Sequence, residues 1–204
     1  MKQFIKTIVP TEGYQEVKQV GSRYVVHLEG VADGDITTCY ECMTEAEPNL
    51  AELTQELQEW KAYRAERDLA TAKKIKIAEL VKYDSSPAVN SFEIRNHGIK
   101  LTDYWLDRDL RTSLEGDVRA ASKIGDTYRF DVRELGITLT LNCEKFLEAL
   151  DALRQYAYTA YNVTSQHMAA INALTTKEEV EEYDYTVGYP TKLVFNAEDL
   201  LHHE

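Results

Sequence analysis

The sequence predicts a helix-rich α+β protein with a small N-terminal β module, one long connecting helix, and a C-terminal helical domain carrying short β-hairpins. Three observations predict it. β-branched and aromatic residues cluster between turn signals over residues 1–46. No glycine or proline interrupts residues 50–82, where Ala, Leu, Glu, Gln, Lys and Arg dominate. Beyond them, two strand–turn–strand patterns precede residues 144–174, where apolar residues recur at helical spacing. The expected divisions are 1–46 for the β module, 47–82 for the connecting helix and 83–204 for the C-terminal α+β domain.

In the β module, "RYVVHLEGV" is bracketed by Gly21 and Gly30, "ADGD" (Ala32 to Asp35) signals a turn, and "ITTCYECMTEA" supplies the returning strand. Strands this few bury little, so the module needs a helix or a partner against it. Pro48 and Asn49 stand at the start of the long helix, where proline is tolerated and asparagine can cap. Leu50, Leu53, Leu57 and Trp60 recur at coiled-coil spacing. That stripe either packs on the chain's own modules or forms the seam of a self-associating stalk, a homo-oligomer through the long helix. Past Trp60 the apolar positions shift to Tyr63, Leu69, Ile75 and Ile77.

Pro87 biases Ser86 out of the helical region and ends the helix. "SFEIRNHGIKLTDYWL" reads as two strands around the turn Asn96-His97-Gly98. Asp107 caps a helix to about Lys123, closed by Gly125. "DTYRFDVRELGITLTL" is a hairpin, with Tyr128, Phe130 and Val132 alternating against Ile137, Leu139 and Leu141. Asn142 caps a helix over about 144–174, Thr176 with Glu179 has capping-box spacing, and "KLVF" (192–195) is a closing strand.

Composition narrows function by exclusion. The 204 residues carry 23 Lys and Arg against 35 Asp and Glu, a formal net charge of −12. That balance repels phosphate backbones and anionic membrane surfaces, so neither nucleic acid nor membrane is an expected partner. No apolar run approaches the ~20 residues that span a bilayer. The N-terminal stretch "MKQFIKTIVPTEGYQ" lacks the unbroken apolar core of a signal peptide. Three cysteines, an odd number, suit a reducing compartment.

No residue set announces chemistry, and neither a cofactor nor a metal is expected. Cys39 and Cys42 form a lone CxxC without a second ligand pair. Asp103, Asp107 and Asp109 group as candidates for a carboxylate pair doing acid/base work or for a metal, and a helix cap and a helix dipole explain two of them more simply. His27, His97 and His167 are scattered, and His202 and His203 read as a solvated tail. The octapeptide "YDYTVGYP" (183–190) places Tyr183, Tyr185 and Tyr189 around a glycine and a proline. Gly188 permits a backbone turn and Pro190 stiffens the exit, so we expect a structural clasp buried against the preceding helix. Tyr156, Tyr158 and Tyr161 are its natural partners there.

The motifs "KIAELVKYDSSPAVNSF", "YWLDRDLRTSL" and "ALRQYAYTAYNVTSQHMAAINALTTKEEVEEYDYTVGYPTKLVF", in this order, resemble a domain-of-unknown-function family met in phages and prophages of Bacteroidetes, often encoded among tail genes. The resemblance covers roughly residues 73–195. The layout of the first 72 residues, a small β module and then a charged long helix, resembles phage tail-fibre assembly proteins. The resemblance implies a non-enzymatic tail-associated protein, an assembly chaperone or minor virion component, whose partner is a tail or tail-fibre protein. It implies residence in the host bacterial cytoplasm during assembly, or in the virion. The competing expectation is a hydrolase of a host surface polysaccharide, using Asp103, Asp107 or Asp109.

Overall fold

A computed structural model describes residues 2–96, 99–132 and 137–201. It is α+β, with N-terminal strands, a long helix and a C-terminal helical region with short strands. The chain forms two compact units, residues 1–71 and 72–204, whose boundary falls inside the long helix.

In the first unit, β1 (Ile5–Pro10), β2 (Val17–Val20), β3 (Arg23–Asp33) and β4 (Ile36–Thr44) form an antiparallel sheet in the order β1-β4-β3-β2. The pleat turns Val26 and Leu28 of β3 and Cys42 of β4 into one buried face. The first turns of α1 (Leu50–Asp84) cover that face with Leu53 and Leu57, and Phe4 completes the cluster. Asn49 Oδ1 accepts from the Ala51 N–H at 3.2 Å where the helix begins. The stripe of Leu50, Leu53, Leu57 and Trp60 is therefore not an exposed seam. Leu53 and Leu57 are fully buried, Leu50 and Trp60 pack against the same cluster, and the Trp60 ring meets Phe4 and Tyr40 edge-on. The sheet needs a second apolar layer, and this stripe supplies it.

Gly30 does not end its strand. β3 runs on to Asp33 through a bulge between Leu28 and Val31. A Cβ at Gly30 would stand 2.4 Å from the Tyr14 hydroxyl, so glycine here lets the Tyr14 ring lie across the sheet.

Beyond Trp60, residues 62–68 of α1 are all exposed. Burial resumes at Ala72 and Leu80, while Tyr63 and Ile75, on the expected stripe, face solvent.

In the second unit, β5 (Phe92–Asn96) pairs antiparallel with β6 (Ile99–Tyr104) and parallel with β9 (Val194–Asn196). The turn residues His97 and Gly98 lie outside the described residues, as do His202 and His203. α2 (Arg108–Ala121) leads to the hairpin β7 (Thr127–Val132) and β8 (Ile137–Asn142), then to α3 (Cys143–Ala173) and the short α4 (Lys177–Glu182) and α5 (Ala197–Leu200). Phe92, Leu106, Leu114, Val118, Leu141, Phe146, Leu150 and Leu153 form the core. Gly125 donates its N–H to Ala121 but does not take the left-handed conformation, so α2 ends without a glycine cap.

Side-chain caps fix where the helices start. Asp107 Oδ1 accepts from Leu110 N–H at 2.8 Å, and Asn142 Oδ1 from Lys145 N–H at 3.1 Å. Thr176 and Glu179 form a reciprocal capping box. Asn142→Ala should lower stability by about 1 kcal/mol in a denaturant titration, because it frees one donor at the start of α3. Among the described residues, no helix is long and apolar enough to cross a membrane.

Candidate functional site

The segment Tyr183–Pro190 closes over α3 through a wired network. Val187 carbonyl oxygen, which can only accept, lies 2.9 Å from His167 Nε2, so that nitrogen carries the proton. His167 Nδ1 is then the acceptor for the Tyr183 hydroxyl at 2.8 Å. Thr164 donates its one hydroxyl proton to Asp84 Oδ1 at 2.6 Å, which leaves Tyr189 to donate to Thr164 Oγ1 at 2.8 Å. The Tyr189 ring stacks on His167 and meets Tyr83 edge-on, and Tyr185 also meets Tyr83 edge-on. Asp184 accepts from the Thr186 hydroxyl and N–H, and these bonds hold its carboxyl below the usual range.

Two features differ from expectation. Tyr183, Tyr185, Tyr189 and Pro190 are half-buried rather than buried. Their partners are Tyr83, Thr164 and His167, not Tyr156, Tyr158 and Tyr161. Tyr156 is buried elsewhere, donating to the Val89 carbonyl at 2.8 Å. Gly188 has φ +82, and an added Cβ would meet nothing nearer than Val163 Cγ1 at 3.7 Å. Gly188→Ala should therefore cost about 1–2 kcal/mol through backbone strain alone, read as a lower melting temperature.

The other singled-out residues do not converge. Asp107 is occupied as a cap, Asp109 sits in the first turn of α2, and Asp103, at φ +61, pairs with Lys192 at 3.6 Å. Cys39 and Cys42 lie three apart along β4, so they point to opposite faces of the sheet. Both are free, and burial raises both thiols above their ordinary pKa. His27 is held by the Gln15 carbonyl and Glu41. Among the described residues, no three His, Cys, Asp or Glu side chains gather where a metal ion could be held.

What α2 and α3 present jointly to solvent is a groove of about 710 Å³. Arg108, Arg111 and Arg154 line it together with Tyr158 and Tyr161, whose side chains are 63% and 67% exposed. The Arg111 guanidinium lies 5.0 Å over the Trp105 ring and donates to the Leu106 carbonyl, so its orientation is fixed. Arg154 pairs with Glu115 and Asp151, whereas Arg108 has no carboxylate partner among the described residues. Two exposed phenols beside fixed and free guanidinium groups form an amphipathic surface suited to a protein partner.

Sequence patterning alone misplaces these tyrosines. The buried stripe of α3 continues through Tyr156, Ala160, Thr164, His167 and Ile171, and its polar members conceal it from a count of apolar residues. The signal was the three- and four-residue spacing itself. Compared with models of protein families, with curated proteins and with solved structures, the chain matches none.

Proposed function

We propose that this chain is a non-enzymatic, phage- or prophage-tail-associated protein, a tail-fibre assembly chaperone or minor tail component, that acts through protein–protein contacts. The tail context rests on the family resemblance of residues 73–195. The observation that carries the binding role is the groove of Arg108, Arg111 and Arg154 with the exposed Tyr158 and Tyr161. Tyrosine and arginine are the side chains most enriched where protein interfaces concentrate their binding energy. Large aromatic rings left in water on a folded helix favour a surface that becomes covered. The protein would act in the host bacterial cytoplasm during assembly and could remain in the particle.

The test is affinity capture of the tagged chain from phage-infected or prophage-induced cells, with the captured proteins identified by mass. A tail or tail-fibre protein should be recovered with wild type. It should be lost with the double variant Tyr158→Ala/Tyr161→Ala at unchanged melting temperature. Absence of any phage structural protein, or equal recovery with the double variant, overturns the reading.

A further inference from the structure

The first unit carries a second surface of a different kind, an open sheet edge beside a concentration of positive charge. β1 pairs only with β4, so its other edge carries no strand among the described residues. Which groups point outward follows from the register. The Thr11 N–H donates inward to the Asp35 carbonyl at 2.9 Å, and the β1–β4 pairing steps without a shift from Pro10↔Ile36 back to Ile5↔Glu41. In an antiparallel ladder the inward bonds fall on every second residue. The N–H and C=O groups of Lys6 and Ile8 therefore face away from β4, and Pro10 stands where its missing N–H would also have faced outward.

Beside this edge runs a groove of about 620 Å³ between the start of the chain and α1. Lys2, Lys6, Arg64 and Arg67 line it with Trp60 and Tyr63, and no carboxylate of the described residues lines it. Only Lys2 is neutralised, by Glu56 at 3.2 Å; Lys6, Arg64 and Arg67 have no carboxylate partner among the described residues. Arg64 and Arg67 lie over the Trp60 and Tyr63 rings, at 5.8 and 5.6 Å, which holds both cations along the groove. On a chain of net charge −12, this is a local reversal of sign.

We propose that the β1 edge and this groove together dock an extended acidic segment of a partner protein. The segment would add as a strand to β1 through the outward groups of Lys6 and Ile8, with its carboxylates facing Lys6, Arg64 and Arg67. An open edge supplies backbone hydrogen bonds to any extended chain, and the cations select one rich in Asp and Glu. The inference rests on the reading of this chain as a binding protein and adds the mode and chemistry of one partner.

The test uses the whole protein and a fluorescein-labelled synthetic peptide of alternating Glu and Val, read by anisotropy. Binding should be saturable, weakened by salt, and reduced about tenfold or more in Arg64→Glu/Arg67→Glu, both solvent-facing positions. It should be equally reduced when alternate peptide bonds of the ligand are N-methylated, and in Ile8→Pro, which removes an outward donor and leaves the ladder to β4 intact. Should Ile8→Pro fail to fold, the methylated peptide tests the same hydrogen bonds on wild-type protein. Undiminished binding of the methylated peptide, tighter binding of an oligo-dT strand, or a protein dimer dissociated by the arginine substitutions overturns the proposal. Loss of the peptide arm with continued capture of a tail protein removes this inference alone. Peptide binding without any phage partner removes the tail assignment and leaves the edge.

Discussion

Leu57→Asp should abolish the folded state of the first unit. Leu57 is fully buried among Phe4, Val26, Leu28, Cys42 and Leu53. A carboxylate there has no partner, and burial of an unpaired charge belongs to the short list of changes that exceed about 4 kcal/mol. Domains as small as residues 1–71 have a margin at the low end of ~5–15 kcal/mol. Circular dichroism should lose the strand signal of residues 5–44, and Trp60 emission should move to the red as its contacts with Phe4 and Tyr40 open. A protein of smaller mass by light scattering, with melting unchanged, would instead make the stripe a seam between copies.

Tyr189→Ala should be the most damaging single change within the segment Tyr183–Pro190. It removes the ring between Tyr83 and His167 and the donor to Thr164. Loss of a packed aromatic costs about 3–5 kcal/mol in a core, and a half-buried ring should fall near 3. Tyr189→Phe keeps the ring and removes only the hydroxyl, for about 1 kcal/mol. Tyr161→Ala, on the solvent side of the same helix, should stay within about 0.5 kcal/mol. Chemical denaturation of the three variants orders them. Equal losses for Tyr189→Ala and Tyr161→Ala would show that the segment does not brace α3.

The parts of this architecture that local chemistry dictates could be read from the chain. Asp107, Asn142 and the Thr176–Glu179 pair each act within four residues, so a short stretch contains the whole cause of each helix start. The extent of α1 was legible for the same reason, since its interior lacks any breaker. What depends on distant residues was not. Position 30 takes glycine because the distant Tyr14 hydroxyl fills the space that a Cβ would need. The clasp finds Tyr83 and His167 because α1 and α3 both bring a ring to it. Tyr158 and Tyr161 look equivalent to Tyr156 by composition, and only the angle around α3 separates the two exposed rings from the buried one. The groove between α2 and α3 combines residues more than forty positions apart, and no spacing rule joins them.

The parallel pairing of β9 with β5 bears on how the chain acquires its structure during synthesis. The core of the first unit, from Phe4 to Leu57, lies within residues 1–71, so that unit can fold as soon as its last turn of helix has emerged from the ribosome. β5 emerges soon afterwards, yet the strand on its flank arrives only after α2, β7, β8, α3 and α4 have been made. Until then Phe92, whose ring meets Phe195 edge-on, lacks that cover. Loop closure over that span delays the final step, and the nascent second unit stays open to chaperones and proteases in the meantime. Ribosome-bound chains halted before Val194 should accordingly be cleaved readily within the second unit while their first unit resists.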